Sequence, residues 1–478
     1  MSDSDLDSDK ALEEALERLE TENGRNSEDD TPSSTWPWSK TAIAQAFREI
    51  GNHMDSPFTC GGTIDITDHK DSNKSGHDVA AKKTSLPVTV YWRADSVSKA
   101  HWLTLPVQST SVLRQLVDDC EPATFGRGQE DVLDPKYRMA GKMDTNNFST
   151  LFHPGDFGII ENIEKVLLPS VSTEEQSDLG FRKLHAELYK LNVYSGPSGL
   201  FRKHVDTPRS ENQVGSLVVC LPSKFRGGKF TVQHAGKIVE FDWSPLSDSA
   251  IQWAAFYSDC EHEINTVTEG ERITLTYNLY VTEPVVPLSC LNSIIQPKSW
   301  PLYGLLETLI AEPGFMTSGG VMGVPCTHAY PHTSHSASSM LPRGLKGGDL
   351  MVYSVLKALG IRVKVLPVLE KPRRYDDREH KGEELVGTDL WELSIDSCSE
   401  VQESSDFYEV LDSAWPAYRA KGIKWIPGHR HSKLALTHIA YGNEATIGTV
   451  YSYAAIFAVI PPFTDRKLAA KSGTCCTC

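Results

Sequence analysis

The chain has 478 residues, which is long for one hydrophobic core and predicts two domains with terminal tails. Its composition of 40% hydrophobic and 23% charged residues is ordinary for a soluble globular protein, and no run of about 18 apolar residues predicts a membrane span. The formal net charge of -16 argues against unaided binding of duplex DNA, because phosphates dominate that affinity.

The first region, residues 1–35, is rich in Asp and Glu. Such a segment buries too little apolar surface to offset its ordering entropy, so it predicts an acidic disordered tail. It also lacks the apolar stretch of a secretory signal, which favours a cytosolic or nuclear location. The ten cysteines are accordingly expected to be reduced thiols.

Residues 36–185 are predicted to support a sheet. Helical spacing of apolar residues occurs in TAIAQAFREI (41–50), SVLRQLVDDC (111–120), GDFGIIENIEKVLLPSV (155–171) and STEEQSDLGFRKL (172–184). The segment VTVYWRA (88–94) alternates as a strand does. The last two of these helices are expected to buttress the sheet that follows.

Residues 186–283 contain short strands separated by Gly, Pro and Ser turns. The predicted strands are AELYKLNVY, GSLVVCLP, GGKFTVQH, KIVEFDW, IQWAAFY and RITLTYNLYV. This rhythm favours a double-stranded β-helix, or jelly roll, over a parallel sheet. The fold class is therefore predicted to be α+β, with a jelly-roll core and buttressing helices.

A candidate metal site lies in this core. In a strand, residues i and i+2 point to the same face about 6 to 7 Å apart, so His204 and Asp206 can bind one metal from one strand. His262 follows the apolar run IQWAAFY and supplies a third ligand. Two imidazoles and one carboxylate form the facial triad of non-haem Fe(II) oxygenases, which leaves three positions open for a chelating 2-oxo acid and O2. His234 is predicted to be a strand-end residue, and Glu263 to face away from the metal.

The 2-oxo acid needs a cation for its distal carboxylate. Arg272 comes ten residues after His262, and its planar guanidinium is suited to bidentate carboxylate binding. Thr274 and Thr276 share its face of the strand RITLTYNLY, so either hydroxyl could add a hydrogen bond. No catalytic residue beyond the metal centre is indicated.

The segments YSGPSGLFRKHVDTP and WAAFYSDCEHEINTVTEGERITLTYNLY resemble the 2-oxoglutarate/Fe(II) dioxygenases of prolyl 4-hydroxylase type, especially hypoxia-type prolyl hydroxylases and related fungal proteins. The resemblance implies Fe2+ at the His-Asp-His site, 2-oxoglutarate and O2 as cosubstrates, and ascorbate as a further candidate cofactor. It also implies that Tyr194, ten residues before His204, lines the cosubstrate pocket. One departure is that GSLVVCLP lacks the Tyr that holds the 2-oxoglutarate carboxylate in the hypoxia-type enzymes.

The resemblance implies hydroxylation of a protein side chain such as proline, with release of succinate and CO2. A small-molecule oxygenase of secondary metabolism would share every metal residue, and a non-catalytic interaction module could use the same barrel. In related folds the segment 121–144 often borders the pocket mouth, so Arg127 or Tyr137 could meet the substrate; the alternative is a surface loop.

Residues 284–465 carry no motif of equal strength and predict a C-terminal domain containing helices and strands. WPLYGLLETLIAE predicts a helix, LKGGDLMVYSVLKALGIRVKVLPVL a helix and then a strand, and the apolar end of IAYGNEATIGTVYSYAAIFAVIPP part of a core. Some members of the family carry a second, metal-free barrel here. The cluster Cys326, His328, His332 and His335 fits no standard zinc spacing and is predicted to be a loop. Residues 466–478 predict a frayed tail whose CCTC end fits a prenylation box poorly.

Overall fold

A computed structural model describes residue 50 and residues 56–66, 88–93, 99–128, 130–172, 179–180, 182–282, 294–332, 340–371, 383–387, 417–419, 423–426, 442–444 and 450–466. The predicted tail 1–35, all of TAIAQAFREI except Ile50, and the CCTC terminus lie outside these ranges.

Four α-helices and a larger set of strands are defined in the described ranges. The helices are α1 (Thr110–Asp118), α2 (Ile159–Leu167), α3 (Pro301–Ala311) and α4 (Gly347–Ala358). The strands are β1 (Thr59–Asp65), β2 (Val88–Arg93), β3 (Ala100–Leu105), β4 (Glu121–Pro122), β5 (Phe125–Arg127), β6 (Glu130–Val132), β7 (Arg138–Met139), β8 (Gly141–Asp144), β9 (Phe148–Thr150), β10 (Lys183–Ser195), β11 (Gly199–His204), β12 (Gln213–Cys220), β13 (Phe225–Gly227), β14 (Phe230–His234), β15 (Lys237–Phe241), β16 (Ala250–Tyr257), β17 (Glu261–Thr282), β18 (Gly320–His332), β19 (Arg362–Lys371), β20 (Glu383–Gly387), β21 (Ala417–Arg419), β22 (Lys424–Trp425) and β23 (Val450–Ile460).

The main sheet is an antiparallel barrel organised around β17. One face has the strand order β1-β16-β12-β17-β10-β8-β4, while β11, β13 and β14 pair with the first half of β17 on the other face. The second half of β17 pairs with β10 and β12. A single strand of 22 residues therefore joins both faces of the barrel. The predicted strand-rich, antiparallel core is confirmed.

The core of the barrel follows from its apolar strands. Every residue of β12 and β16 is buried, as expected for two adjacent strands that are covered on both faces. The helix α2 buries Ile159, Ile163 and Leu167, which recur every four residues along one face. Its buried Glu164 accepts hydrogen bonds from Lys183 Nζ at 2.8 Å and from the backbone N–H of Leu184 at 2.9 Å, which ties α2 to β10.

A second sheet is formed by the later part of the chain, which we call the C-terminal sheet. Its strand order is β21-β20-β19-β23-β18-β22, and its pairs are antiparallel except for β18 with β22. A separate hydrophobic cluster lies between this sheet and the helices α3 and α4, with Ala454, Ile456 and Ala458 fully buried on β23. Ile50 and Val171, from much earlier in the chain, pack into the same cluster.

Several local expectations were wrong. The segment from Cys326 to His332 belongs to β18 and is not a loop, because its residues 329–332 pair with β23 after an irregularity that follows Pro325; His335 lies outside the described residues. Lys183 and Leu184 begin β10 and do not end a helix. The segment 121–144, for which a surface loop was the alternative to a position at the pocket mouth, contains the short strands β4 to β8. Among the described helices, none is long and apolar enough to cross a bilayer.

The thiols of Cys60, Cys120, Cys220, Cys260 and Cys326 are free, and the last three of these side chains are buried. Burial raises the pKa of the Cys60 and Cys120 thiols to about 12, so both are protonated at neutral pH. The remaining cysteines lie outside the described residues.

Candidate metal centre

The three predicted metal ligands meet inside the barrel. His204 is the last residue of β11 and lies directly opposite His262, the second residue of β17. Directly opposed residues of an antiparallel pair have Cβ atoms about 4.5 to 5.5 Å apart, so strand pairing alone brings the two imidazoles together. Asp206 follows two residues after His204, and its Oδ1 lies 3.6 Å from His262 Nε2. All three side chains are buried, and their ligand atoms lie within 4.8 Å of one another.

His262 follows the apolar strand β16, as expected, and belongs to the next strand, β17. The apolar strand β16 ends at Tyr257, and His262 begins the next strand after a turn. The sequence did not predict that β17 begins at Glu261, because the first half of this strand, EHEINTVTEG, is mostly polar.

The two imidazoles are oriented for metal binding. His204 Nδ1 lies 2.8 Å from the carbonyl of Arg202, and His262 Nδ1 lies 3.1 Å from the carbonyl of Cys260. A carbonyl only accepts, so each Nδ1 carries a proton and Nε2 is the ring nitrogen left to face a metal. The ring planes cross at 54°, which lets the two lone pairs converge on one ion. Burial, and then the neighbouring His262, hold the pKa of His204 well below its usual value, so the ring stays neutral.

Asp206 is held by a residue that the sequence did not single out. Ser216, on β12, donates a short hydrogen bond from Oγ to Asp206 Oδ2. This contact leaves Oδ1 as the oxygen that faces His262. A ligating carboxylate is commonly fixed by such an outer hydrogen bond. In the sequence, Ser216 could have been noticed only as the polar residue within the apolar strand GSLVVCLP.

Arg272, the predicted anchor of the cosubstrate carboxylate, is a buried cation inside the barrel. It is completely buried, and none of its three guanidinium nitrogens has a hydrogen-bond partner among the described residues. The guanidinium lies over the ring of Trp243 at 5.0 Å and over that of Tyr194 at 5.5 Å. Burial lowers the pKa of Arg272, an effect that the neighbouring Cys220 partly offsets. An isolated buried cation is costly, and a bound carboxylate would satisfy it.

The other predicted cosubstrate residues share this face. Tyr194 on β10 pairs with Arg272, and Thr274 is buried two positions further along β17. Thr276 lies two positions further still, and its hydroxyl accepts a hydrogen bond from Asn192 at 3.3 Å. The structure therefore places Tyr194 and Thr274 nearer to Arg272 along the strand than Thr276.

Two further side chains pack behind His204. Phe201 stacks on the His204 ring with centroids 3.5 Å apart, and the guanidinium of buried Arg138 lies 4.3 Å above Phe201. Arg138 also donates to Asn192 Oδ1 at 2.8 Å. The sequence analysis missed Arg138 because its partners are distant in the chain. Phe201 carried no signal, since strand alternation places residues three positions apart on opposite faces, and the register irregularity between Phe201 and His204 became visible only in the structure.

The residues considered for the pocket mouth differ in their positions. Tyr137 stacks on Phe125 at 4.4 Å and donates a hydrogen bond to the carbonyl of Lys203, next to His204. Arg127 is exposed at the end of β5. His234 ends β14 as expected and is not one of the three ligands.

The antiparallel barrel, the buried His-Asp-His group and the buried arginine together are typical of an oxygenase that uses iron and a 2-oxo acid. Residues 189–280 match the family model described as the 2OG-Fe(II) oxygenase superfamily. The region that carries the candidate metal centre is therefore similar to the domain of 2-oxoglutarate-dependent oxidoreductases that this model describes.

Similar solved structures include a prolyl 4-hydroxylase from Pseudomonas putida, with 15% identity over 36% of this chain and 82% of that chain and a TM-score of 0.24. A prolyl hydroxylase from Trichoplax adhaerens, solved with a hypoxia inducible factor peptide fragment, has 16% identity over 36% and 77% of the two chains and a TM-score of 0.22. A 2OG-Fe(II) oxygenase family protein from Burkholderia pseudomallei has the same identity and coverage and a TM-score of 0.23. No curated protein matched the chain.

Proposed function

We propose that this protein is an Fe(II)- and 2-oxoglutarate-dependent dioxygenase of prolyl 4-hydroxylase type that hydroxylates a protein side chain such as proline. The observation that carries the proposal is a converging His-Asp-His group in the same barrel as a buried arginine whose guanidinium nitrogens have no hydrogen-bond partner among the described residues. His204, Asp206 and His262 would hold the iron, and Arg272 would bind the distal carboxylate of 2-oxoglutarate. When bound, iron and 2-oxoglutarate supply an oxidation in which O2 and the 2-oxo acid yield succinate, CO2 and a hydroxylated substrate.

The protein's own part is to orient the reactants and exclude water. The imidazoles of His204 and His262 present Nε2, while Ser216 fixes Asp206 so that its Oδ1 faces inward. Arg272 can donate two parallel hydrogen bonds to one carboxylate, which sets the direction of the bound 2-oxo acid. Tyr194 and Trp243 flank the guanidinium and shield it from water, which strengthens its attraction for an anion.

The substrate approach is proposed to pass the β5–β6 hairpin. Tyr137 connects this hairpin, through Phe125, with the strand that ends at His204. Exposed Arg127 at the hairpin is available to a peptide. We also propose a cytosolic or nuclear location, and ascorbate as an additional cofactor. The domain boundaries are proposed to lie at residues 35, 185, 283 and 465.

An anaerobic titration with Fe(II) and 2-oxoglutarate tests the proposal. Wild-type protein is expected to develop the visible charge-transfer band of the iron chelate, and His204→Ala to lose it. The exposed His153 supplies a matched control, so His153→Ala should give the wild-type band. In air, only the proteins that form the band should convert 2-oxoglutarate to succinate. A metal-replete wild type with neither band nor succinate would contradict the proposal and favour an interaction module.

A further inference from the structure

The C-terminal sheet contacts both segments that carry the predicted metal ligands. Val205 stands between His204 and Asp206, and its side chain packs against Ala329 of β18 and Tyr451 of β23. Side chains alternate along an extended segment, so this contact covers the back of the ligand-bearing segment. Tyr451 also donates a hydrogen bond from its hydroxyl to the backbone carbonyl of Asp206 at 3.1 Å.

A short segment, residues 442–444, extends this contact along the chain. Gly442 forms a parallel bridge with Val205 and exchanges two backbone hydrogen bonds of 3.0 Å with Gly126. Thr207 follows directly after Asp206, and its backbone N–H donates to Asn443 Oδ1 at 3.0 Å. The Thr207 hydroxyl donates to the carbonyl of Glu444 at 2.8 Å. Both sides of Asp206 are therefore attached to residues from the end of the chain.

The segment before His262 is attached in a similar way. Asp259 lies in the turn between β16 and β17, and its side chain is buried. Its Oδ1 accepts a hydrogen bond from Lys346 Nζ at 2.7 Å. Its Oδ2 lies 3.0 Å from both His328 Nδ1 and the backbone N–H of Ala329. The turn that leads to His262 is thus fixed to β18 and to the residue just before α4.

The His234, Asp259 and His328 side chains at this junction have ligand atoms within 4.8 Å of one another, which raises the question of a second metal. Their geometry argues against it. The His234 and His328 rings are stacked at an interplanar angle of only 5°, with centroids 4.1 Å apart. In-plane lone pairs in two parallel, separated planes cannot meet at one ion, and the Lys346 ammonium already neutralises Asp259. The junction is better explained as a structural contact.

We propose that residues Ala329, Lys346, Asn443, Glu444 and Tyr451, which we call the C-terminal brace, are positioning residues for the metal centre. This inference rests on the proposed function, because it requires the His-Asp-His group to bind metal. The brace fixes the backbone on both sides of Asp206 and the turn before His262, so it sets the spacing of ligands from two strands. Ligand geometry must be held within about 0.5 Å, and loss of an outer contact typically weakens metal binding by roughly 10- to 100-fold.

The test measures the affinity of the full chain for Mn(II), a redox-stable probe, by electron paramagnetic resonance. Tyr451→Phe keeps the ring but loses the hydrogen bond to Asp206, and Asn443→Ala loses the bond to Thr207. Each is expected to weaken Mn(II) binding by about tenfold. The exposed Asn146 provides the matched control, and Asn146→Ala should bind Mn(II) as wild type does.

Variants at position 207 distinguish an effect on the position of the metal ligands from an effect on the stability of the fold. Thr207→Val removes the hydroxyl that bonds Glu444, whereas Thr207→Ser keeps it, so the serine variant should recover wild-type Mn(II) affinity. The midpoint of thermal unfolding is recorded for every variant. Unchanged Mn(II) affinity in the brace variants, with only a lower midpoint, would overturn the brace as a positioning element. Wild-type protein that binds no Mn(II) would instead overturn the proposed function, and this inference with it.

Discussion

At the scale of single residues, Arg272 is the side chain whose environment is hardest to explain without a ligand. Burying a guanidinium costs several kcal/mol unless an anion or hydrogen-bond acceptors compensate. Here two aromatic rings surround it, and no described nitrogen or oxygen accepts from it. Gly228 allows this packing, since a Cβ there would lie 3.2 Å from Arg272 Cδ. A bound carboxylate, as proposed above for 2-oxoglutarate, would compensate this buried charge.

Replacing this arginine should affect one cosubstrate selectively. Arg272→Gln is expected to weaken 2-oxoglutarate binding by about 10- to 100-fold, because a charge-assisted bidentate contact is lost. Mn(II) affinity measured without 2-oxoglutarate should change little. Isothermal titration calorimetry with each ligand checks both statements. Arg226 is exposed on β13, so Arg226→Gln serves as the control. Equal loss of both ligands in Arg272→Gln would point to general unfolding.

At the scale of elements, β17 determines where the two halves of the site lie. Its first half carries His262 and its second half carries Arg272, and Gly270 lies between them with a φ of +75°. A Cβ at position 270 would lie 2.1 Å from the carbonyl oxygen of Lys224. Only glycine therefore permits both this backbone conformation and the close approach of the segment before β13.

Alanine at this position should destabilise the barrel. Gly270→Ala combines backbone strain of about 1 kcal/mol with a clash against main chain, so we expect a loss of at least about 3 kcal/mol. Gly236 is an internal comparison. Its φ is also positive, at +80°, but a Cβ added there would have no atom within 4 Å. Gly236→Ala should cost only about 1 kcal/mol. Urea unfolding measures the free energy of unfolding of both variants. A similar decrease in the two would show that the main chain near position 270 moves to accommodate the Cβ at little cost.

The elements that the sequence predicted well are those with a strong local pattern. The apolar run IQWAAFY became the buried strand β16, and the helix α2 follows the spacing of Ile159, Ile163 and Leu167. The polar first half of β17 and the strand β18 were not predicted, because their residues face partners supplied by distant segments. Local periodicity cannot report such pairing.

At the scale of the whole molecule, the site depends on contacts between distant parts of the chain. The spacing of His204, Asp206 and His262 predicted their meeting, because strand alternation and antiparallel pairing are simple rules. Arg138 and Asn443 are 305 positions apart and yet share a hydrogen bond of 3.3 Å. No motif connects such residues, so their part in the site became visible only in the folded chain.

The ion pair between Asp259 and Lys346 should be important for stability as a unit. Lys346→Met leaves a buried carboxylate without its cation and is expected to cost about 3 to 5 kcal/mol. The double variant Asp259→Asn with Lys346→Met removes both charges and should recover most of that loss. Lys165 is exposed on α2, so Lys165→Met is the matched control. Urea unfolding at neutral pH measures these differences, and additive effects of the two substitutions would contradict the coupling.

The same pair predicts a dependence of stability on pH. Burial opposes ionisation of Asp259, but Lys346 and His328 prevail and hold the pKa of this carboxyl well below its usual value. The unfolded chain, with an ordinary pKa of about 3.9, therefore takes up this proton first as pH falls. The stabilisation is complete above about pH 5 and declines as pH falls through the unfolded pKa towards the folded one. The free energy of unfolding, measured between pH 6 and about pH 3, should fall more steeply with decreasing pH for wild type than for the double variant.

The direct pairing of His204 with His262 also links metal binding to the choice of strand register. A slip of one residue between β11 and β17 would turn one imidazole to the outside of the barrel, because side chains alternate at every step. A divalent ion held by both rings would therefore bind the correct alignment and discriminate against slipped ones. Metal present during refolding should favour native pairing of these strands, so the ion would act as a template for the fold as well as the centre of its chemistry.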